Sequence, residues 1–182
     1  MKTNEFNTSS HFETLAIRTQ LERSAQKEHS VPLYLTSSYK FDDAEDMRAL
    51  FANEKEGNVY SRYSNPNTTE FIEKMCLLEG AEDGFATATG MAAIFSVFGA
   101  FLKSGDHVLS SRSVFGSTHQ LLTNVFDKWG VTYTYADLDK PQDWEGLIRS
   151  ETKLIFVETP SNPGIDIIDL AILGDLAKRH SL

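Results

Sequence analysis

Ala86 to Lys103 reads A-T-A-T-G-M-A-A-I-F-S-V-F-G-A-F-L-K. Phe85 to Thr87 is a short strand-like run, Ala88-Thr89-Gly90 is a turn of small residues, and Met91 to Leu102 is almost continuously apolar. The order predicts strand, tight turn and buried helix. At such a turn a glycine lets an anionic ligand approach the backbone. The first N–H groups of the helix point toward it unpaired, and the helix dipole adds attraction. The stretch is either a phosphate seat or a place where Gly90 lets the helix pack closely on a sheet.

Toward the C-terminus, strand and helix patterns alternate. His107 to Ser110 reads as a short strand, and Thr118 to Trp129 as a helix with Leu122, Phe126 and Trp129 on one side. Thr132 to Tyr135 alternates as a strand does, and Asp143 to Arg149 reads as a short helix. Lys153 to Glu158 is the clearest buried strand, and it runs into the loop Thr159-Pro160-Ser161-Asn162-Pro163-Gly164. Asp169 can then cap a last helix carrying Ile172, Leu173, Leu176 and Ala177. This alternation predicts an α/β fold, a parallel sheet with helices on both faces. Ligands of such sheets bind beyond the carboxyl ends of the strands, where the Thr89-Gly90-Met91 turn and the Glu158-to-Asn162 loop both fall.

Toward the N-terminus the pattern is weaker. Residues up to about Lys27 are polar, with one weak helical stretch from Glu13 to Arg23, and read as an arm lying on something else. Val31 to Tyr39 is extended, because Pro32 disfavours helix and its neighbours are β-branched or aromatic. Asp43 to Asn53 is a short helix that Asp42 or Asp43 can cap. Thr68 to Glu79 is another, capped by Asn67 or Thr68. It has Phe71, Met75 and Leu78 on one face and a Glu70/Lys74 pair on another.

The 182 residues carry 41% hydrophobic and 24% charged side chains, enough to bury one core. A net charge of -9 leaves no basic face, which argues against nucleic acid as a partner. No apolar run reaches membrane-spanning length, so no membrane partner is expected. The single Cys76 lies in a helical pattern and reads as a buried, inert thiol in a reducing, cytoplasmic setting. No G-x-G-x-x-G, G-x-x-x-x-G-K-[ST] or G-x-S-x-G pattern occurs, and the five histidines are dispersed without metal-ligand spacing. Glu158 and Asn162 at a strand exit can orient a polar ligand, or they are a strand-end acid and a turn residue. Arg62 between Tyr60 and Tyr63 suits a phosphate or carboxylate, or a surface ion pair.

Taken together, four motifs carry a resemblance. Y-S-R-Y-S-N-P-N at Tyr60 to Asn67, A-T-G-M-A-A-I at Ala88 to Ile94, S-V-F-G-S-T at Ser113 to Thr118 and K-L-I-F-V-E-T-P-S-N-P at Lys153 to Pro163 stand in this order. In order and spacing the chain resembles the Cys/Met-metabolism pyridoxal-phosphate enzymes from about Arg18 onward. Around Glu28-His29-Ser30, Thr36-Ser37-Ser38 and Phe115 it is most similar to the branch that takes O-succinylhomoserine. The resemblance implies fold type I of the pyridoxal 5'-phosphate-dependent transferases, aspartate-aminotransferase-like and ending before a C-terminal domain. It implies an arm over residues 1–58 and the first part of a cofactor-binding domain over 59–182.

The resemblance also implies roles. Gly90 and Met91 would give N–H groups to the cofactor phosphate, and Tyr60 and Arg62 would reach that phosphate from a neighbouring subunit of a homodimer or homotetramer. Phe115 would stack on the pyridine ring; many relatives have Tyr there, so tyrosine-assisted lyase chemistry is disfavoured. Asn162 would hydrogen-bond the phenolic oxygen, and Glu158 would support the site. Asn67 replaces a usual Thr, a departure expected not to matter. The implied reaction is γ-replacement on O-succinylhomoserine or O-acetylhomoserine with sulfide, giving homocysteine. Cystathionine γ-synthase or γ-lyase activity, or a non-catalytic remnant, are the alternatives. The family's aspartate for the pyridine nitrogen and its cofactor-linking S-x-T-K lysine are expected beyond Leu182. Ser150-Glu151-Thr152-Lys153 carries the same letters, yet it precedes the strand leading to Glu158 and is read as a decoy.

Overall fold

The computed structural model describes residues 11–18 and 20–182. They fall into two compact units that divide between Ala86 and Thr87.

The first unit holds α1 (Phe12–Ile17), α2 (Ala44–Phe51) and α3 (Pro66–Glu79). Asp43 caps α2 by accepting the Asp46 N–H at 2.8 Å. The expected caps of α3, Asn67 or Thr68, are replaced by Asn65, whose side-chain oxygen accepts the Asn67 N–H at 2.9 Å. Pro66 fills the first helical position, where a missing N–H costs nothing. The Asn67 side chain, relieved of capping, binds the preceding segment instead. It accepts the Tyr34 N–H at 2.8 Å and donates to the Pro32 carbonyl at 2.7 Å. The extended segment before Tyr39 is held on α3 in this way, and an isolated antiparallel bridge joins Ser38 to Tyr60.

Glu70, expected on an outer face, is buried. Its carboxylate accepts the backbone N–H groups of Gln20 and Leu21 at 2.8–3.0 Å. The helix expected over Glu13 to Arg23 accordingly forms only as α1, because those N–H groups go to Glu70 instead of to a continuing helix. The residues before His11, and Thr19, lie outside the described ones. With the arm bound to α3, the contact boundary falls at Ala86/Thr87; a division at 58/59 remains a proposal about where the cofactor-binding part begins.

The second unit is α/β. Among the described residues three parallel strands, β1 (His107–Ser111), β2 (Thr132–Ala136) and β3 (Thr152–Phe156), lie in the order β2-β1-β3. Successive residues of central β1 face opposite sides. Val108 packs with Phe98, Leu122, Phe126 and Val131, beneath α4 (Gly90–Phe101) and α5 (Gly116–Leu121). Leu109 packs with Ala136, Trp144, Ile168, Leu173 and Leu176, beneath α6 (Leu170–His180), which Asp169 caps as expected.

Five local expectations are corrected. Residues 85–87 form no strand. The apolar α4 buries only Phe98 fully, while Phe101 is 66% exposed, because one side of the helix meets the sheet and its other side has no cover among the described residues. β3 is half-buried at the sheet edge, and the strand buried throughout is β1. The segment after α5 changes to a π turn over Leu122–Phe126 and a 3₁₀ turn over Asp127–Trp129, and Asp143 to Arg149 gives only short 3₁₀ turns. The Thr123 hydroxyl donates back to the His119 carbonyl at 3.0 Å, a bond that bends helices.

Candidate cofactor site

α4 returns to β1 through a short turn, so its N-terminus lies at the carboxyl edge of the sheet. Thr89 caps it, its hydroxyl accepting the Ala92 N–H at 3.1 Å. The Ala93 N–H goes to the Thr89 carbonyl at 3.1 Å. That leaves the N–H groups of Gly90 and Met91 without an acceptor among the described residues, at the positive end of a helix dipole. A Cβ at Gly90 would meet nothing within 4 Å, so the space over this backbone is open.

The loop leaving β1 and the loop leaving β3 meet at the same edge. Glu158 is the link: one carboxylate oxygen accepts the Phe115 N–H at 2.8 Å and the other the Thr118 hydroxyl at 2.8 Å. The Phe115 ring is left 43% exposed. Glu158 therefore occupies its oxygens in fixing the start of α5, a bracing position that holds the backbone from which the Phe115 ring projects.

Asn162 is exposed, and its amide has no hydrogen-bond partner among the described residues. The loop beneath it is tied by Ser161 and Asp166, with the Ser161 hydroxyl donating to the Asp166 carboxylate at 2.7 Å. That bond, followed by one from Ser113, holds the Asp166 carboxyl below its ordinary range. Thr118 closes the third sequence motif, whereas Asp166 did not stand out in the sequence. A loop acid carries no local pattern, and its tie to Ser161 is visible only in the folded loop.

Tyr60 and Arg62 belong to the first unit. The Arg62 guanidinium lies 4.8 Å from the centre of the Tyr60 ring and 5.7 Å from that of Tyr63. No carboxylate pairs with Arg62 among the described residues. Lys153 sits near the start of β3, opposite in the strand from the end that leads to Glu158. No helix among the described residues is long and apolar enough to cross a membrane.

O-succinylhomoserine sulfhydrylase of Pseudomonas aeruginosa is 47% identical to this chain over 166 residues, 91% of this chain and 41% of that protein. L-methionine gamma-lyase of Porphyromonas gingivalis is 37% identical over 151 residues, 83% and 38% of the two. In three dimensions the chain matches a Campylobacter jejuni protein assigned as an O-acetylhomoserine (thiol)-lyase, which carries N'-pyridoxyl-lysine-5'-monophosphate. The TM-score is 0.88 at 33% identity, over 96% of this chain and 43% of that one. Cystathionine gamma-lyase of Lactobacillus plantarum gives 0.84 at 32% identity, over 95% and 43%. The chain thus spans about two fifths of the length of these relatives. Residues 13–182 match the sequence pattern of the Cys/Met metabolism PLP-dependent enzymes, and with these identities the chain belongs to that family, whose cofactor is pyridoxal phosphate.

Proposed function

We propose that the full-length protein carries out γ-replacement on O-succinylhomoserine with sulfide, releasing succinate and giving homocysteine. The observation that carries the reading is the unpaired N–H pair of Gly90 and Met91 under open space, at the sheet edge where Phe115 is presented. This donor set fits pyridoxal phosphate. Gly90 and Met91 would hold the phosphate, Phe115 would cover one face of the ring, and Asn162 would donate to the phenolic oxygen. Glu158 would keep Phe115 in place. Tyr60 and Arg62 would reach the phosphate of a neighbouring copy, the site residues being shared in a homo-oligomer. When bound, the cofactor supplies an electron-withdrawing ring that acidifies the substrate's Cα. The succinyl donor is supported by the 47% identity to a sulfhydrylase of that name, and replacement over elimination by Phe115, which has no hydroxyl to move a proton.

The test is product analysis with the full-length protein and pyridoxal phosphate. O-succinylhomoserine with sulfide should give homocysteine faster than O-acetylhomoserine does. Cystathionine formed preferentially from cysteine, or a 2-oxo acid from methionine, would move the assignment to a synthase or a lyase.

A further inference from the structure

The loop after β3 is closed on itself around Asn162. The Ser161 N–H donates to the Asp166 carbonyl at 3.0 Å, and the Ile165 N–H donates to the Ser161 carbonyl at 2.9 Å. The Ser161 hydroxyl donates to the Asp166 carboxylate at 2.7 Å and accepts the Asp166 N–H at 2.9 Å. Ser161 is buried by this arrangement, while the next residue, Asn162, stands exposed.

Two backbone features show that the closure is specified. A Cβ at Gly164 would stand 2.5 Å from a carboxylate oxygen of Asp166, so a side chain there would push the carboxylate away. Ile165 has φ 58, a left-handed conformation that a β-branched residue adopts only when its surroundings over-determine it. Hydrogen bonds from Ser161 and Ser113 also hold the Asp166 carboxyl below its ordinary range, and as a carboxylate it acts as an acceptor only.

We propose that Asp166 is a positioning residue for the cofactor: by holding Ser161 it aims the adjacent Asn162 amide, as Glu158 holds Phe115. Asp166 makes no cofactor contact itself; it acts through Ser161. The inference rests on the assignment of Asn162 given above, and it adds a determinant that lies outside the four motifs, beyond Pro163.

Its test uses the full-length protein and the variants Asp166→Ala and Asp166→Asn, with two readouts. In the cofactor-free protein, amide hydrogen exchange over residues 158–168 should be about tenfold faster in Asp166→Ala, with residues 107–111 unchanged, because only the loop loses its closure. In the protein loaded with pyridoxal phosphate, the visible circular dichroism of the bound cofactor should fall by roughly half or more in Asp166→Ala, since ring orientation depends on a supported site. Asp166→Asn, whose amide oxygen still accepts the Ser161 hydroxyl, should restore most of both. Unchanged exchange, or faster exchange with an unchanged cofactor spectrum, overturns the proposal. A wild type showing no bound-cofactor band overturns the functional reading instead, and the exchange result then decides separately whether Asp166 closes the loop.

Discussion

At the scale of single residues, the sheet carries a polar link across all three strands. His107 on β1 is fully buried, with its ring nitrogens 2.8 Å from the Thr152 hydroxyl on β3 and 2.9 Å from the Thr134 hydroxyl on β2. Arg149 donates to both hydroxyls, through its backbone N–H and its guanidinium. Burial pushes the imidazole below its ordinary pKa and Arg149 adds to this, while Glu151 opposes it. The folded protein thus keeps His107 neutral at a pH where the unfolded chain, titrating near ~6.5, already binds a proton. Stability from this residue is complete above about pH 6.5 and is lost as pH falls through the window below it. Urea midpoints measured from pH 8 to pH 5 should fall more steeply for the wild type than for His107→Leu. At pH 7.5 the variant should be less stable by about 1–3 kcal/mol, the cost of a lost buried hydrogen-bonding group. Parallel pH profiles would assign the acid sensitivity to other residues.

At the scale of elements, α3 is the part that organises the first unit, through Asn65, Asn67 and Glu70. Replacing Glu70 by Ala removes the acceptor for the Gln20 and Leu21 N–H groups and should cost about 3 kcal/mol, since hydrogen bonds to a charged group are worth ~1.5–3 kcal/mol each. Limited proteolysis should then cut between residues 18 and 30 well before α3. Resistance equal to wild type would mean that α1 holds the arm without Glu70. Nothing in the sequence distinguished this buried acid from a helix-surface partner of Lys74, because the i,i+4 spacing is identical in both situations. The same limit explains β1. His-Val-Leu-Ser-Ser reads as half-polar, yet buried His107 is satisfied by hydroxyls that only the assembled sheet supplies, and buried Ser110 and Ser111 by local bonds to the backbone. The cap of α2, the cap of α6 and the strand–helix alternation were legible, since they depend on neighbours along the chain. Leu122 and Phe126, four apart, fit an α or a π turn equally well, and in the π turn both are buried together with Phe98.

At the scale of the whole molecule, Arg62 is proposed to serve the phosphate of a neighbouring copy rather than that of its own chain. Arg62 rests over two tyrosines with no carboxylate partner among the described residues, in a unit where Leu33, Leu35 and Phe85 are also exposed, as on surfaces that associate. If a symmetric dimer shares its sites, Arg62 of one copy and Asn162 of the other complete the same site. Arg62→Ala should weaken cofactor binding about 10–100-fold, corresponding to loss of a charge-assisted hydrogen bond. Asn162→Ala should impair the same site by a different route. When the two variants are co-expressed with different tags, half of the dimers are mixed, and each mixed dimer has one site with both wild-type residues. About a quarter of wild-type activity should therefore return in the mixture, concentrated in the doubly tagged fraction. If Arg62 serves its own chain's site, every site in every dimer carries one substitution, and the doubly tagged fraction will be no more active than the average of the two variants.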